Sequence, residues 1–270
     1  MASDFFSHYN SDTNSVLDVP LALCLFDAID EFTGLARELS LGEKTITRPV
    51  PVQYGTIYSG SITFDIAMIK CDNTAFSNDE QRIINRWLTS PKLPQWTTFS
   101  IGGVETMYRG NFTDVRWKSG GQGLIGVVCT FQADSPYAWK QYDVSKSISG
   151  TQTFTVSCDS DELEEYIYPV ITISTNSKST IKITNNTDNG KFMQLSVLAN
   201  LPVTMDCEHC IVKDSTNNGV FTFEDIGWTD VGNVYWLRLL PGNNSITVSG
   251  SCSINLSYKC PQKLLGGWLW

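Results

Sequence analysis

The chain has 270 residues, of which 41% are apolar, 11% aromatic and 17% charged, and its formal net charge is -9. That hydrophobicity excludes a disordered chain, and a surface so acidic repels phosphate backbones, which argues against general nucleic-acid binding. No stretch is apolar for long enough to span a bilayer, and the start lacks a basic segment followed by an apolar core, so no membrane contact and no secretory signal are expected, and synthesis in the cytoplasm is.

Two domains of ordinary size suit this length, with a boundary near Tyr142 giving 1–142 and 143–270. A polar segment over residues 1–20 opens the chain, and residues 24–39 are read as a second, weaker helix, interrupted by Gly34. Residues 61–70 alternate, with Ile62, Phe64, Ile66 and Met68 on one face, the pattern of a half-buried strand. The clearest helix covers residues 77–88. Ser77 and Glu80 form a capping box, Asp79 and Glu80 complement the helix dipole, and Ile83, Ile84, Trp87 and Leu88 make one apolar stripe. Pro91 and Pro94 stop it. Gly102-Gly103 and Gly120-Gly121 mark tight connections, and residues 124–131 are almost continuously apolar, as in a strand covered on both faces.

Beyond Tyr142 short strands recur without helices, over 153–158, 169–174, 179–184, 192–198, 203–205, 220–223, 234–239, 245–249 and 252–258. Regular spacing with turn chemistry between strands predicts a β-sandwich. Pro241-Gly242-Asn243-Asn244 is read as the turn ahead of the 245–249 strand, which pairs with 252–258. The predicted fold is therefore mainly β: an N-terminal sandwich-like domain with one or two short helices, then a C-terminal sandwich.

No chemistry declares itself. Only His8 and His209 could serve a triad, no Gly-x-Ser-x-Gly elbow is present, and both histidines are read as surface residues. Cys207-Glu208-His209-Cys210 is half a zinc motif without a second pair, and strand periodicity separates Cys207 from Cys210. It is read as small apolar residues at a strand edge. The acidic run from Asp159 to Glu165 lacks the ligand alternation of a calcium loop and reads as a solvated loop. No nucleotide fingerprint occurs. No catalytic residue, metal or cofactor is expected, and the eight cysteines default to free thiols. Most of the eight tryptophans are read as packing, but the apolar end Leu264-Leu265-Gly266-Gly267-Trp268-Leu269-Trp270 should dock on its own chain or a neighbour. Candidate interface residues are Phe5, Phe6, Trp268 and Trp270.

Tyr54-Gly55 leading into Ser61-Ile62-Thr63-Phe64-Asp65-Ile66, then the capped helix ending in Trp87-Leu88, resembles the N-terminal domain of siphophage distal tail proteins. Tyr108-Arg109-Gly110-Asn111-Phe112 and the run from Gly126 to Ala138, with its Pro136-Tyr137-Ala138, look like the end of that domain. Tyr168-Pro169-Val170-Ile171-Thr172-Ile173, Ile183-Thr184-Asn185-Asn186 and Leu240-Pro241-Gly242-Asn243-Asn244 are similar to the family's galectin-like C-terminal domain. The likeness covers residues 25–260, and order and spacing carry it rather than any single motif. Its departure is the long polar segment 1–20.

The resemblance implies a virion structural protein at the distal end of the tail, with no catalytic residues. It implies a hexameric ring that joins the major tail tube protein to the tail-associated hub protein. Galectin-like domains would project outward, able to hold receptor-binding proteins, and DNA would pass the central channel only as cargo. The alternative reading is a carbohydrate-binding module that contacts the host surface through the C-terminal sandwich; by analogy with galectin-type sugar binding, Trp228 or Trp236 with Arg238 would be the candidate carbohydrate contacts.

Overall fold

The computed structural model describes residues 5–24, 36–43, 53–59, 61–101, 103–121, 123–228 and 234–264. The chain divides into two units, one running up to Trp139 and the other Lys140–Gln262; Lys263 and Leu264 lie outside the second. Residue pattern explains each in turn.

In the first unit the elements are β1 (Phe5–His8), β2 (Ser11–Asp12), β3 (Leu21–Cys24), β4 (Ala36–Leu41), β5 (Gln53–Ser59), β6 (Thr63–Lys70), α1 (Asn78–Thr89), β7 (Gln95–Ile101), β8 (Val104–Gly120) and β9 (Gly123–Ala133). All pairings are antiparallel. β3, β6, β9 and β8 form one run of neighbours, and β8, β7, β1 and β2 form another. β8 belongs to both because it is long: it pairs with β7 up to Gly110 and with β9 from Gly110 onward. At that crossing a Cβ on Gly110 would sit inside the contact distance of the Gln132 carbonyl oxygen and 2.8 Å from Phe131. Only glycine lets the strands pass so closely.

Aromatic and aliphatic side chains share the interior of both runs. Phe64 meets Phe99 at 5.1 Å and Phe112 meets Phe131 at 5.2 Å, both edge-on. Phe6 stacks on Trp87 at 5.0 Å. Each such pair contributes roughly 0.5–1.5 kcal/mol beyond its buried area. α1 closes this core with Ile84, Trp87 and Leu88, and both hydrogen bonds of the Ser77–Glu80 capping box are formed.

The weaker helix over 24–39 is not borne out where it can be judged. Cys24 ends β3, and Ala36–Leu41 is a strand paired with β5; residues 25–35 lie outside the described set. In the sequence Leu39 and Leu41 alternate with Glu38 and Ser40, a period that favours a strand over a helix. The opening segment also differs from its reading as a polar arm. Phe6, Val16, Val19 and Leu21 are buried core residues, and β1 is a full member of its sheet.

The second unit contains the rest of β10 (Ala138–Ile148) with β11 (Thr151–Cys158), β12 (Val170–Ser174), β13 (Ser179–Asn185), β14 (Lys191–Val197), β15 (Val203–Asp206), β16 (Ile211–Asp214), β17 (Gly242–Ser249) and β18 (Cys252–Gln262). One sheet runs β16-β15-β12-β18-β10 and the other β11-β17-β13-β14. Alternate residues of both face a shared core that includes Ile171, Ile173, Ile181, Ile183, Leu195, Met205, Ile246, Val248, Ile254 and Leu256. This is the sandwich that the spacing predicts.

Four local readings change. Gly242 to Asn244 begins β17 rather than forming a turn, and β17 and β18 do not pair with each other. β17 ladders with β11 and β13, whereas β18 ladders with β12, so the chain crosses between sheets at Gly250, whose φ is 113°. Residues 234–239 keep their alternation, with Leu237 and Leu239 buried, but among the described residues they form only the single bridge between Leu239 and Ile167. Residues 220–223 are not a strand: Val220 bridges Lys213, and Thr222 turns back on Asp225. In exchange β16 is a strand that the alternation did not separate from the cysteine-rich segment before it.

Candidate functional site

In the first unit His8 corrects its reading as a surface histidine. It is 1% exposed, because β1 lays it between Thr97, Trp87 and Phe112. Its Nδ1 is 2.8 Å from the Thr97 hydroxyl, and its own carbonyl accepts the Trp87 indole N–H at 2.7 Å. Burial pushes the imidazole down from 6.5 to about 4, so it is neutral at pH 7. Among the described residues no carboxylate touches it, so it lacks the orienting partner of a triad. Of the candidate interface residues on this strand, Phe6 is wholly enclosed by its own unit, while Phe5 is part exposed. Trp268 and Trp270 lie outside the described residues. Exposed apolar side chains of the unit include Tyr9, Leu17, Leu93 and Trp96.

In the second unit Trp228 is buried in the sandwich core, 5.3 Å from Trp236 and 5.4 Å from Phe223. Trp236 is half-buried and lines an open cleft of about 390 Å³ together with Arg238, Tyr168, Lys191, Glu208 and Tyr235. Arg238 is held on two sides. Its guanidinium makes a forked pair with Asp188 at 2.8 and 3.2 Å, and it lies 3.9 Å from the Tyr166 ring centre. Asp188, which is 4% exposed, also accepts the Tyr235 hydroxyl at 2.9 Å. The hydrogen bond from Arg238 holds the Asp188 carboxyl below its ordinary range, while burial pushes the Tyr235 phenol up. Asn185 and Asn244 extend this polar cluster into the strand ends, where Asn185 donates to the Arg238 carbonyl at 2.8 Å. Trp236 and Arg238 are thus brought to one cleft and Trp228 is placed behind it. The sequence gives no sign of Asp188 in this group, since 50 residues separate it from Arg238.

The Cys207–Cys210 segment is the loop of the β15–β16 hairpin, not a strand edge. Cys210 adopts a positive φ of 57° and is exposed, whereas Cys207 is buried and its thiol is pushed up by that burial. His209 bonds Asp206 at 2.9 Å on the surface. Among the described residues no group of three or more His, Cys, Asp or Glu side chains could hold a metal ion. The acidic run 159–165 is a loop whose Leu163 is 76% exposed.

A family described as phage tail protein N-terminal domain matches residues 6–135, and one described as phage tail C-terminal domain matches residues 137–258. No curated protein matches the sequence. Among solved structures, the fold is similar to the Dit protein of phage SPP1, described as a paradigm of the hub adsorption apparatus in phages that infect Gram-positive hosts. Identity is 13%, with 95% of this chain and 98% of that one covered and a TM-score of 0.57. It is also similar to chains of the phage P2 baseplate in its activated conformation. The calcium form gives 10% identity and the strontium form 9%, each covering 98% of this chain and 100% of the other at a TM-score of 0.59.

Proposed function

This chain belongs to a family of phage tail proteins, and from that premise we propose that it is a non-enzymatic hub of the tail tip, six copies of which close into a ring. The ring joins the tail tube protein to the tail-associated hub protein, with DNA passing as cargo, and the second units offer a place for receptor-binding proteins. The observation that carries this reading is the likeness of fold over nearly the whole of both chains to the SPP1 hub protein and the P2 baseplate chains. A ring of identical subunits uses one heterologous contact repeated until rotation closes it. Among the described residues the fold supplies edges for such a contact, because β2 and β3 each end a run of strands.

The test is light scattering and negative-stain imaging of the protein co-expressed with its phage's tail tube and hub proteins. The expected particle contains six 30.1 kDa subunits around a central hole. A monomer under those conditions, or a ring of another number, would overturn the proposal.

The cleft beside Trp236 favours a second reading, a carbohydrate contact. Its volume of about 390 Å³ suits a small ligand, and an indole beside an anchored guanidinium offers a stacking face with fixed donors. Glycan-array binding that Trp236→Ala abolishes would support it, and absence of binding to any glycan would dispose of it.

A further inference from the structure

Along the sequence the cysteines are scattered, but the fold brings two of them together. Cys158, the last residue of β11, and Cys260, near the end of β18, belong to opposite sheets of the second unit. Their sulfurs are 3.7 Å apart, and both residues are buried, at 1% and 0% exposure. Contacts on either side fix this register. The Tyr258 hydroxyl donates to the Ser157 carbonyl at 2.6 Å, and the Asp161 N–H donates to the Pro261 carbonyl at 3.0 Å. Tyr142 stacks on Tyr258 at 5.5 Å and donates to Asp159 at 3.0 Å, so the surrounding side chains are also tied.

We propose that Cys158 and Cys260 are an oxidisable pair that closes into a disulfide joining the two sheets of the C-terminal sandwich. A disulfide bond is about 2.05 Å long, so the sulfurs must approach by less than 2 Å, which rotation of both side chains provides. Contact with Cys260 also polarises the pair, holding the Cys158 thiol down and pushing the Cys260 thiol up. Oxidation starts at one sulfur, taken as Cys158, and the other resolves it. The enclosed site selects a small oxidant, a peroxide. The Cys158 sulfur attacks one peroxide oxygen; an S–O bond forms, the O–O bond breaks, and the thiol proton leaves with the second oxygen as water. The Cys260 sulfur then attacks the Cys158 sulfur. The S–S bond forms, the S–O bond breaks, and the released hydroxyl takes the Cys260 proton as a second water. Two thiols lose two electrons and two protons, and one peroxide becomes two waters.

The pair is set apart from the other cysteines by geometry. Cys210 is exposed with its sulfur 3.9 Å from the Cys207 carbonyl, and Cys71 is exposed. The bond would close a loop of 102 residues, nearly the whole second unit, so it should raise that unit's unfolding midpoint by several degrees.

The test treats the reduced full-length protein with hydrogen peroxide, alkylates it in denaturant and maps tryptic peptides. Peptides 147–178 and 260–263 should be recovered as one cross-linked species that dithiothreitol separates. In Cys260→Ala the 147–178 peptide should be recovered without that cross-link. The proposal is overturned if both peptides of the wild-type chain stay separately alkylated at a dose that oxidises Cys71 and Cys210. The wild-type result decides the matter even if the variant does not fold.

Discussion

Acid should unfold the first unit in a way that a single residue controls. His8 is neutral and buried in the fold, but in the unfolded chain its imidazole titrates at 6.5 and in the fold only at about 4. Between those values the unfolded state binds a proton that the folded state refuses. Stability is therefore complete above pH 6.5, falls as pH drops towards 4, and loses nothing further from this group below that. At 1.36 kcal/mol per pKa unit the full loss is about 3 kcal/mol. The comparison chain is His8→Gln, which carries no titrating ring and keeps a group able to bond Thr97. Urea unfolding is followed by methionine methyl resonances, with Met68 reporting on the first unit and Met205 on the second, both fully buried. The wild-type Met68 transition should weaken by about 3 kcal/mol relative to His8→Gln between pH 7 and 4, while the Met205 transition of the two chains stays matched. Every other titrating group is common to both chains and cancels. Equal pH dependence at Met68, or a His8 ring that titrates near 6.5 by NMR, would refute the reasoning.

Three further outcomes follow from particular contacts. Gly110→Ala places a Cβ against the Gln132 carbonyl and Phe131, and should destabilise the first unit by about 3 kcal/mol, read from the Met68 urea midpoint; Gly121→Ala, with open space around it, should change little. Ser77→Ala removes the hydroxyl that accepts the Glu80 N–H, leaves the residue-77 N–H still able to donate to the Glu80 carboxylate, and should cost about 1 kcal/mol in the same assay. Asp188→Ala leaves Arg238 and Tyr235 without their shared acceptor and should lower the stability of the second unit by roughly 3 kcal/mol, read from the Met205 resonance.

Local rules were legible where one element's own residues decide its structure. The Ser77–Glu80 box and the Ile84, Trp87 and Leu88 stripe define α1 without any tertiary information. Alternation likewise defines β6, β13 and β18. Residues 234–239 fail for a physical reason. Alternation reports which side chains face a core, and Leu237 and Leu239 do face it, but a ladder also needs a neighbour with free backbone groups. Here the side chains of Tyr235 and Arg238 meet Asp188, and the backbone bridges Ile167 only once, at Leu239.

The functional surfaces were less legible because they depend on contacts between distant segments. His8 is polar by type and sits in a polar stretch, yet β7 and α1 bury it, and nothing near it in sequence signals either partner. Trp228 and Trp236 look equivalent eight residues apart, yet one fills the core and the other lines a cleft. Cys158 and Cys260 become a pair only because the sandwich places β11 and β18 in opposite sheets with their ends aligned. Sequence periodicity assigns each strand an inner and an outer face, but it does not state which inner residues of two sheets meet. In a fold built from ladders between distant strands, chemistry that depends on such meetings is decided by topology.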